Sequence, residues 1–148
     1  MRVIAGEARG ARLTVPKGPN IRPTLDRVRE SLFNILNPRI AEARFLDLYA
    51  GSGANGIEAL SRGASRAVFV DTDIRFVKQN LQKTRLDARA HCVQAKLPGG
   101  LANLENRSPF DIIFADPPFK LVEFDHLLDL IDQHHLLDNI LLCNDLGT

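Results

Sequence analysis

From Arg44 onward the chain alternates short apolar runs with amphipathic stretches, and this alternation limits its fold more than any other feature. Residues 45–49, 67–70, a run near 91–93, 110–114 and 140–143 read as buried-type strands. Between them, residues 57–62, 74–84, a short piece near 101–104 and a stretch carrying Leu121, Phe124, Leu128 and Ile131 read as helical. Strands joined through helices run parallel, and the helices cover both faces of the sheet. The predicted fold class is therefore α/β. Ligands of such sheets bind beyond the carboxyl ends of the strands, so the residues just after each strand are the candidates for chemistry.

A length of 148 residues suits one domain, and 45% hydrophobic with 25% charged residues excludes a disordered, collagen-like or disulfide-scaffold chain. No apolar run is long enough to span a membrane and the N-terminus carries no secretory apolar region, so no membrane partner and a cytoplasmic location are predicted. Cys92 and Cys143 read as buried free thiols. His126, His134 and His135, set among Asp125, Asp129 and Asp132, read as the polar face of a helix, and no metal is predicted. The near-neutral total hides an asymmetry. Residues 1–44 hold nine Arg and Lys against four Asp and Glu, a net +5, whereas residues 45–148 hold ten against fourteen, a net −4. A basic head of this kind points to a polyanionic partner.

That head divides from the rest near residue 40, giving a basic hairpin and helix over 1–40 and a body over 41–148. Residues 3–5 and 13–15 are extended runs joined through 6–10, with Arg2, Arg9 and Arg12 on or beside the turn. Thr24 offers a helix N-cap, Leu25, Val28, Leu32, Ile35 and Leu36 recur at helical spacing, and Asn37-Pro38 is predicted to end the helix. Arg27 and Arg29 then project from its polar side.

The first strand of the body leads into Gly51-Ser52-Gly53-Ala54-Asn55-Gly56, a glycine-rich turn opening a helix. Asp71 ends the second strand about 20 residues later, where an acid accepts the hydroxyls of a nucleoside ribose. Asp47, inside an otherwise apolar strand, is costly unless it serves a ligand or an orienting hydrogen bond. A dinucleotide turn usually follows an apolar strand, so Asp47 disfavours an NAD-binding oxidoreductase. After the fourth strand comes Asp116-Pro117-Pro118-Phe119, a rigid loop at the carboxyl edge of the sheet. The loop resembles that of methyltransferases acting on the exocyclic amines of bases, and the resemblance implies that hydrogen bonds from this poor nucleophile to the Asp116 carboxylate and the Pro117 carbonyl would orient it and offset growing positive charge, while Phe119 would stack on the base.

Asp47 through Gly53 resembles the cofactor motif of S-adenosylmethionine-dependent methyltransferases, and Asp116 through Phe119 the loop of those that modify exocyclic amines. Together with Arg2-Val3-Ile4-Ala5-Gly6, residues 22–36 and residues 58–64, they resemble the RsmD family of bacterial 16S rRNA guanine-N2 methyltransferases, over residues 2 to about 143. The resemblance implies a Rossmann-like methyltransferase sheet and S-adenosylmethionine as cofactor, held by Asp47, Tyr49, Gly51, Ser52, Gly53, Gly56, Asp71 and Thr72. It implies Asp116, Pro117, Pro118 and Phe119 as the catalytic loop, and 16S rRNA or the small ribosomal subunit as partner. It gives Arg2, Arg9, Arg12, Lys17, Arg22, Arg27 and Arg29 to RNA phosphates. Three features depart from it. Lys96 stands where an acceptor near the adenine is usual and Asn55 where an apolar residue is usual. The chain also runs out at Thr148, where methyltransferases of this class continue with a helix and a hairpin. A sheet ending there would leave an apolar edge, a monomer that can associate through it, and weak cofactor binding or poor stability. An adenine-N6 methyltransferase and an inactive RNA-binding remnant are the other readings, because the Asp-Pro-Pro-Phe loop serves either base.

Overall fold

The computed structural model describes residues 1–16, 25–116 and 121–143. Its helices are α1 (Leu25–Ile40), α2 (Ala54–Ser61), α3 (Arg75–Thr84) and α4 (Leu121–Gln133), and its strands are β1 (Arg44–Leu48), β2 (Arg66–Asp71), β3 (Ala90–Gln94), β4 (Phe110–Ala115) and β5 (Leu137–Cys143). The strands pair in the order β3-β2-β1-β4-β5, every pairing parallel. Successive strands step outward from β1 to β3, and the chain then returns to the other side of β1. The direction of winding reverses between β1 and β4, which opens a crevice at their carboxyl ends. The piece predicted near 101–104 is a 3-10 helix, Gly99–Arg107, with Leu101 and Leu104 buried.

Side chains along each strand point alternately to the two faces, and the core follows this period. Phe45, Phe69, Ile112 and Phe114 lie on one face with Ile57, Leu60, Val77 and Leu81 of α2 and α3. Leu46, Leu48, Val68, Val70 and Ile113 lie on the other with Leu101, Leu104, Leu127 and Ile131. Val3, Leu13, Phe33, Leu36 and Ile40 join the first of these clusters, so the N-terminal segment and α1 share a core with the body. The predicted hairpin is present only as a bridge between Arg2 and Arg12, flanked by bonds such as Val3 N–H to the Ala11 carbonyl at 2.9 Å. Its polar backbone is taken up instead by α2 and α3.

Three expectations for α1 need correction. The buried stripe is Arg29, Phe33, Leu36 and Ile40, while Val28 and Ile35 face solvent, Ile35 at 77% exposure. Arg29 therefore does not project from a polar side. It is 4% exposed, lies 3.6 Å by its Nε from Glu58 Oε1, and donates from Nη2 to the Arg2 carbonyl and to Asp26 Oδ1. A buried carboxylate on α2 is the reason: Glu58 is fully buried and turns the arginine inward to itself. Finally, Pro38 lies inside the helix, which continues to Ile40. Proline costs one backbone bond there, and the burial of Ile40 carries the helix past it. Thr24 lies outside the described residues.

Candidate functional site

The end of β1 turns into α2 through three residues in the left-handed region: Tyr49 at φ 56°, Gly51 at 58° and Gly53 at 82°. Glycine adopts this conformation without strain, whereas a bulky side chain such as Tyr49 is rarely found there. A Cβ on Gly51 would meet nothing within 4 Å, so the turn leaves open space on that side. A Cβ on Gly56 would lie 2.3 Å from the Phe69 ring, so this glycine serves the packing of α2 on β2. The two glycines thus have separate physical duties, one toward open space and one toward the core.

Two carboxylates hold the turn. Asp71 Oδ2 accepts the Gly51 N–H at 2.8 Å and Oδ1 accepts the Thr72 N–H at 2.7 Å. Oδ1 also accepts from the Thr72 hydroxyl at 3.3 Å and the Asp73 N–H at 3.4 Å, whereas Oδ2, beside its bond from Gly51, keeps an acceptor position for a hydroxyl donor. Asp47 is 1% exposed, and its Oδ2 accepts the Gly56 N–H at 3.0 Å. Burial pushes its pKa up to about 8, against the lowering effect of the Gly56 bond, and the nearby charges of Asp71 and Asp116 add to the rise. Asp47 is therefore a neutral acid at pH 7 that fixes the turn from beneath.

This sets a pH dependence. Between the ordinary carboxylate value of 3.8 and about 8 the folded chain keeps a proton that the unfolded chain has released. The stability from this group is complete below that window and is lost as pH rises through it. Asp47→Asn keeps an acceptor for Gly56 but does not titrate. Its melting free energy is expected to gain on the wild type by roughly 1 kcal/mol per pH unit between pH 5 and 7. Melting curves at several pH values check this; a gap independent of pH would contradict it.

A cavity of about 400 Å³ lies over the carboxyl ends of the strands, lined by Tyr49, Asp71, Thr72, Ala95, Lys96, Leu97 and Asp116. It brings together the acid after β2 and the acid after β4, as the crevice rule predicts. Lys96 stands where the resemblance places the adenine, whereas Ala95 and Leu97 were legible only through that rule, since they follow β3 without a recognisable motif. Of the residues expected to hold a cofactor, Tyr49, Asp71 and Thr72 line this cavity, while Asp47, Gly51, Ser52, Gly53 and Gly56 form and brace the turn beside it; Ser52 is buried, its Oγ accepts the Ala54 N–H at 3.3 Å and lies 3.6 Å from Met1 Sδ. Its neighbour Gly53 is the N-cap of α2, and the Gly53 N–H donates to the Ala50 carbonyl at 2.8 Å. Pro117, Pro118 and Phe119 lie outside the described residues, as do Lys17 and Arg22. Arg2, Arg9, Arg12 and Arg27 are exposed, whereas Arg29 is not. Among the described residues no group of three or more His, Cys, Asp and Glu is placed to hold a metal ion, and no helix is long and apolar enough to cross a membrane.

A five-stranded parallel sheet with a glycine turn after β1 and acids after β1's neighbours β2 and β4 defines the Rossmann-like methyltransferase fold. The chain superposes on Escherichia coli yhhF with a TM-score of 0.78 at 38% identity, covering 100% of this chain and 83% of that one. A hypothetical protein of Thermus thermophilus, TTHA0928, gives 0.78 at 33% identity, over 93% and 80% of the two chains. More narrowly, the chain belongs to the family described as conserved hypothetical protein 95, the RsmD family, whose model matches residues 1–144. Ribosomal RNA small subunit methyltransferase D of Escherichia coli K12 is 45% identical over 121 residues, which is 81% of this chain and 61% of that protein. The protein of that name from Haemophilus influenzae is 41% identical, over 80% and 64%. The chain thus spans about three fifths of the length of these relatives.

Proposed function

We propose that this chain transfers a methyl group from S-adenosylmethionine to the exocyclic amine of a base, guanine N2 of 16S rRNA, in the small ribosomal subunit and so in the cytoplasm. The observation that carries the reading is the meeting, in one cavity, of Asp116 after β4 with Asp71 beside the open Gly51 turn. The relatives named for rRNA small subunit methylation support the choice of RNA.

The chain's residues fit such a cofactor. Asp71 and Thr72 offer acceptors to a ribose, the open side of Gly51 admits close approach, and neutral Asp47 keeps the turn in shape from below. When bound, the cofactor supplies an electrophilic methyl group on a sulfonium sulfur. Asp116 would accept an N–H of the attacking amine, orienting its nitrogen and offsetting the positive charge that grows there. Pro117 and Phe119, by resemblance, would add a carbonyl acceptor and a stacking ring. Lys96 has no acceptor to give an adenine, which leaves that task to backbone groups near Ala95.

RNA would approach along the N-terminal segment. Arg2 and Arg12 oppose each other across the antiparallel bridge, and both are exposed. Like charges directly opposite destabilise a pair of strands, and a phosphate between them relieves the repulsion. With Arg9, Arg27, Lys17 and Arg22 they form the proposed contact set.

Calorimetry is the test of the cofactor site. S-adenosylhomocysteine is expected to bind and NADH is not; binding of NADH alone would overturn the reading. Asp71→Ala is expected to weaken S-adenosylhomocysteine by roughly 10-fold or more, since it removes both the ribose acceptor and the Gly51 tie.

A further inference from the structure

Asn80 is a polar side chain on the buried stripe of α3, beside Val77, Leu81 and Thr84, and it has no exposed surface. A fully buried amide is retained at a cost unless all its groups are paired. Here they are paired in a particular way. Oδ1 accepts the Thr14 N–H at 2.8 Å, and Nδ2 donates to the Thr14 carbonyl at 2.8 Å and to the Ser52 carbonyl at 2.8 Å. One amide thus clasps both backbone groups of a residue in the N-terminal segment and the central carbonyl of the glycine turn. Thr14 is held again through its Oγ1, which accepts from Lys83 Nζ at 3.0 Å, and the other end of the segment reaches the same turn through Met1 Sδ and Ser52 Oγ. Ser52 stands between Gly51 and Gly53, both in the left-handed region.

We infer that Asn80 is a positioning residue through which the docked N-terminal segment sets the glycine turn, so that cofactor affinity depends on residues of that segment that do not line the cavity. The inference rests on the reading of this cavity as a cofactor site. The Ser52 carbonyl accepts from Asn80, and rotation of that planar peptide unit would move the Gly53 N–H with it and so its bond to the Ala50 carbonyl. Asp71 and Asp47 hold the turn at Gly51 and Gly56; Asn80 holds it between them. Asn80 thus joins segment and turn through Thr14 and Ser52, beside the Met1–Ser52 contact at the other end of the segment, and loss of the clasp loosens the turn.

The test is a double-mutant cycle read by S-adenosylhomocysteine calorimetry on the full chain. Asn80→Ala removes the clasp, and Thr14→Pro removes the N–H it accepts without touching the cavity. Each is expected to raise Kd roughly 10-fold, and the double variant no more than either alone, because both break one connection. Ile131→Ala, buried in the last turn of α4 on the opposite face of the sheet, serves as a control for lost stability and is expected to leave Kd unchanged at a temperature where it is folded. If Asn80→Ala does not fold, Thr14→Pro, which leaves the Asn80 side chain and the buried stripe of α3 intact, carries the same expectation alone. An unchanged Kd, additive effects in the cycle, or an equal loss in Ile131→Ala would overturn the inference. Failure of the wild type itself to bind S-adenosylhomocysteine would instead remove the cofactor reading, and this inference with it.

Discussion

Glu58→Ala is expected to lower the melting temperature by roughly 10 °C, more than any other single substitution considered. Glu58 is fully buried on α2 and does four things at once. It accepts the Ile4 N–H at 2.9 Å, the Ala5 N–H at 3.1 Å and Arg62 Nε at 2.8 Å, and lies 3.6 Å from Arg29 Nε. Removing it leaves Arg62, 4% exposed, without its carboxylate, Arg29, equally buried, with Asp26 but no longer Glu58, and two backbone amides without an acceptor. Breaking a buried ion pair by deleting one partner costs about 3–5 kcal/mol, and a chain of this size loses about 3 °C per kcal/mol. Glu58→Gln keeps an acceptor but not the charge and is expected to lose about half as much. Thermal melts of both variants check this, and a drop under about 3 °C for Glu58→Ala would show that the cluster is solvated in solution. Because the amides of Ile4 and Ala5 anchor the segment that carries Arg2, Arg9 and Arg12, Glu58→Ala is also expected to weaken RNA binding.

Activity is expected to fall furthest in Asp116→Ala. Asp116 is exposed at the end of β4 and lines the cavity with Asp71 and Tyr49. If its carboxylate orients the attacking amine and offsets the charge that grows on it, its loss removes a stabilisation present mainly in the transition state. Such losses are worth on the order of 10²–10³ in kcat. Affinity for S-adenosylhomocysteine is expected to stay within about 3-fold, because that product lacks the transferred group. Single-turnover transfer rates together with calorimetry separate the two terms. A variant that loses cofactor affinity and rate in equal measure would move Asp116 from the chemistry to the cofactor.

Much of this was legible in the sequence because a parallel sheet imposes strong local patterns. The strands had to be apolar on both faces, and the glycines and acids had to follow them, so the positions of Gly51, Asp71 and Asp116 followed from periodicity and the crevice rule. What was not legible depended on partners distant along the chain. The apolar spacing of Val28, Leu32 and Ile35 suggested one face for α1, yet Glu58 turns another face inward by capturing Arg29. A single helix has no means of signalling that a carboxylate of α2 awaits its arginine. Asn80 was missed for the same reason: an asparagine on an apolar stripe reads as an interruption until Thr14 and Ser52 are seen on either side of it. Asp47 was legible as a buried acid needing a partner, but not as the support of the Gly56 amide beneath the turn.

Methyl transfer to guanine N2 of 16S rRNA is decided by nucleoside analysis. Unmethylated small ribosomal subunits would be incubated with the chain and S-adenosylmethionine labelled on its methyl group, and the RNA then digested to nucleosides. Label is expected in N2-methylguanosine, from the wild type and not from Asp116→Ala. Label in N6-methyladenosine, or equal label from both proteins, would contradict the proposed reaction.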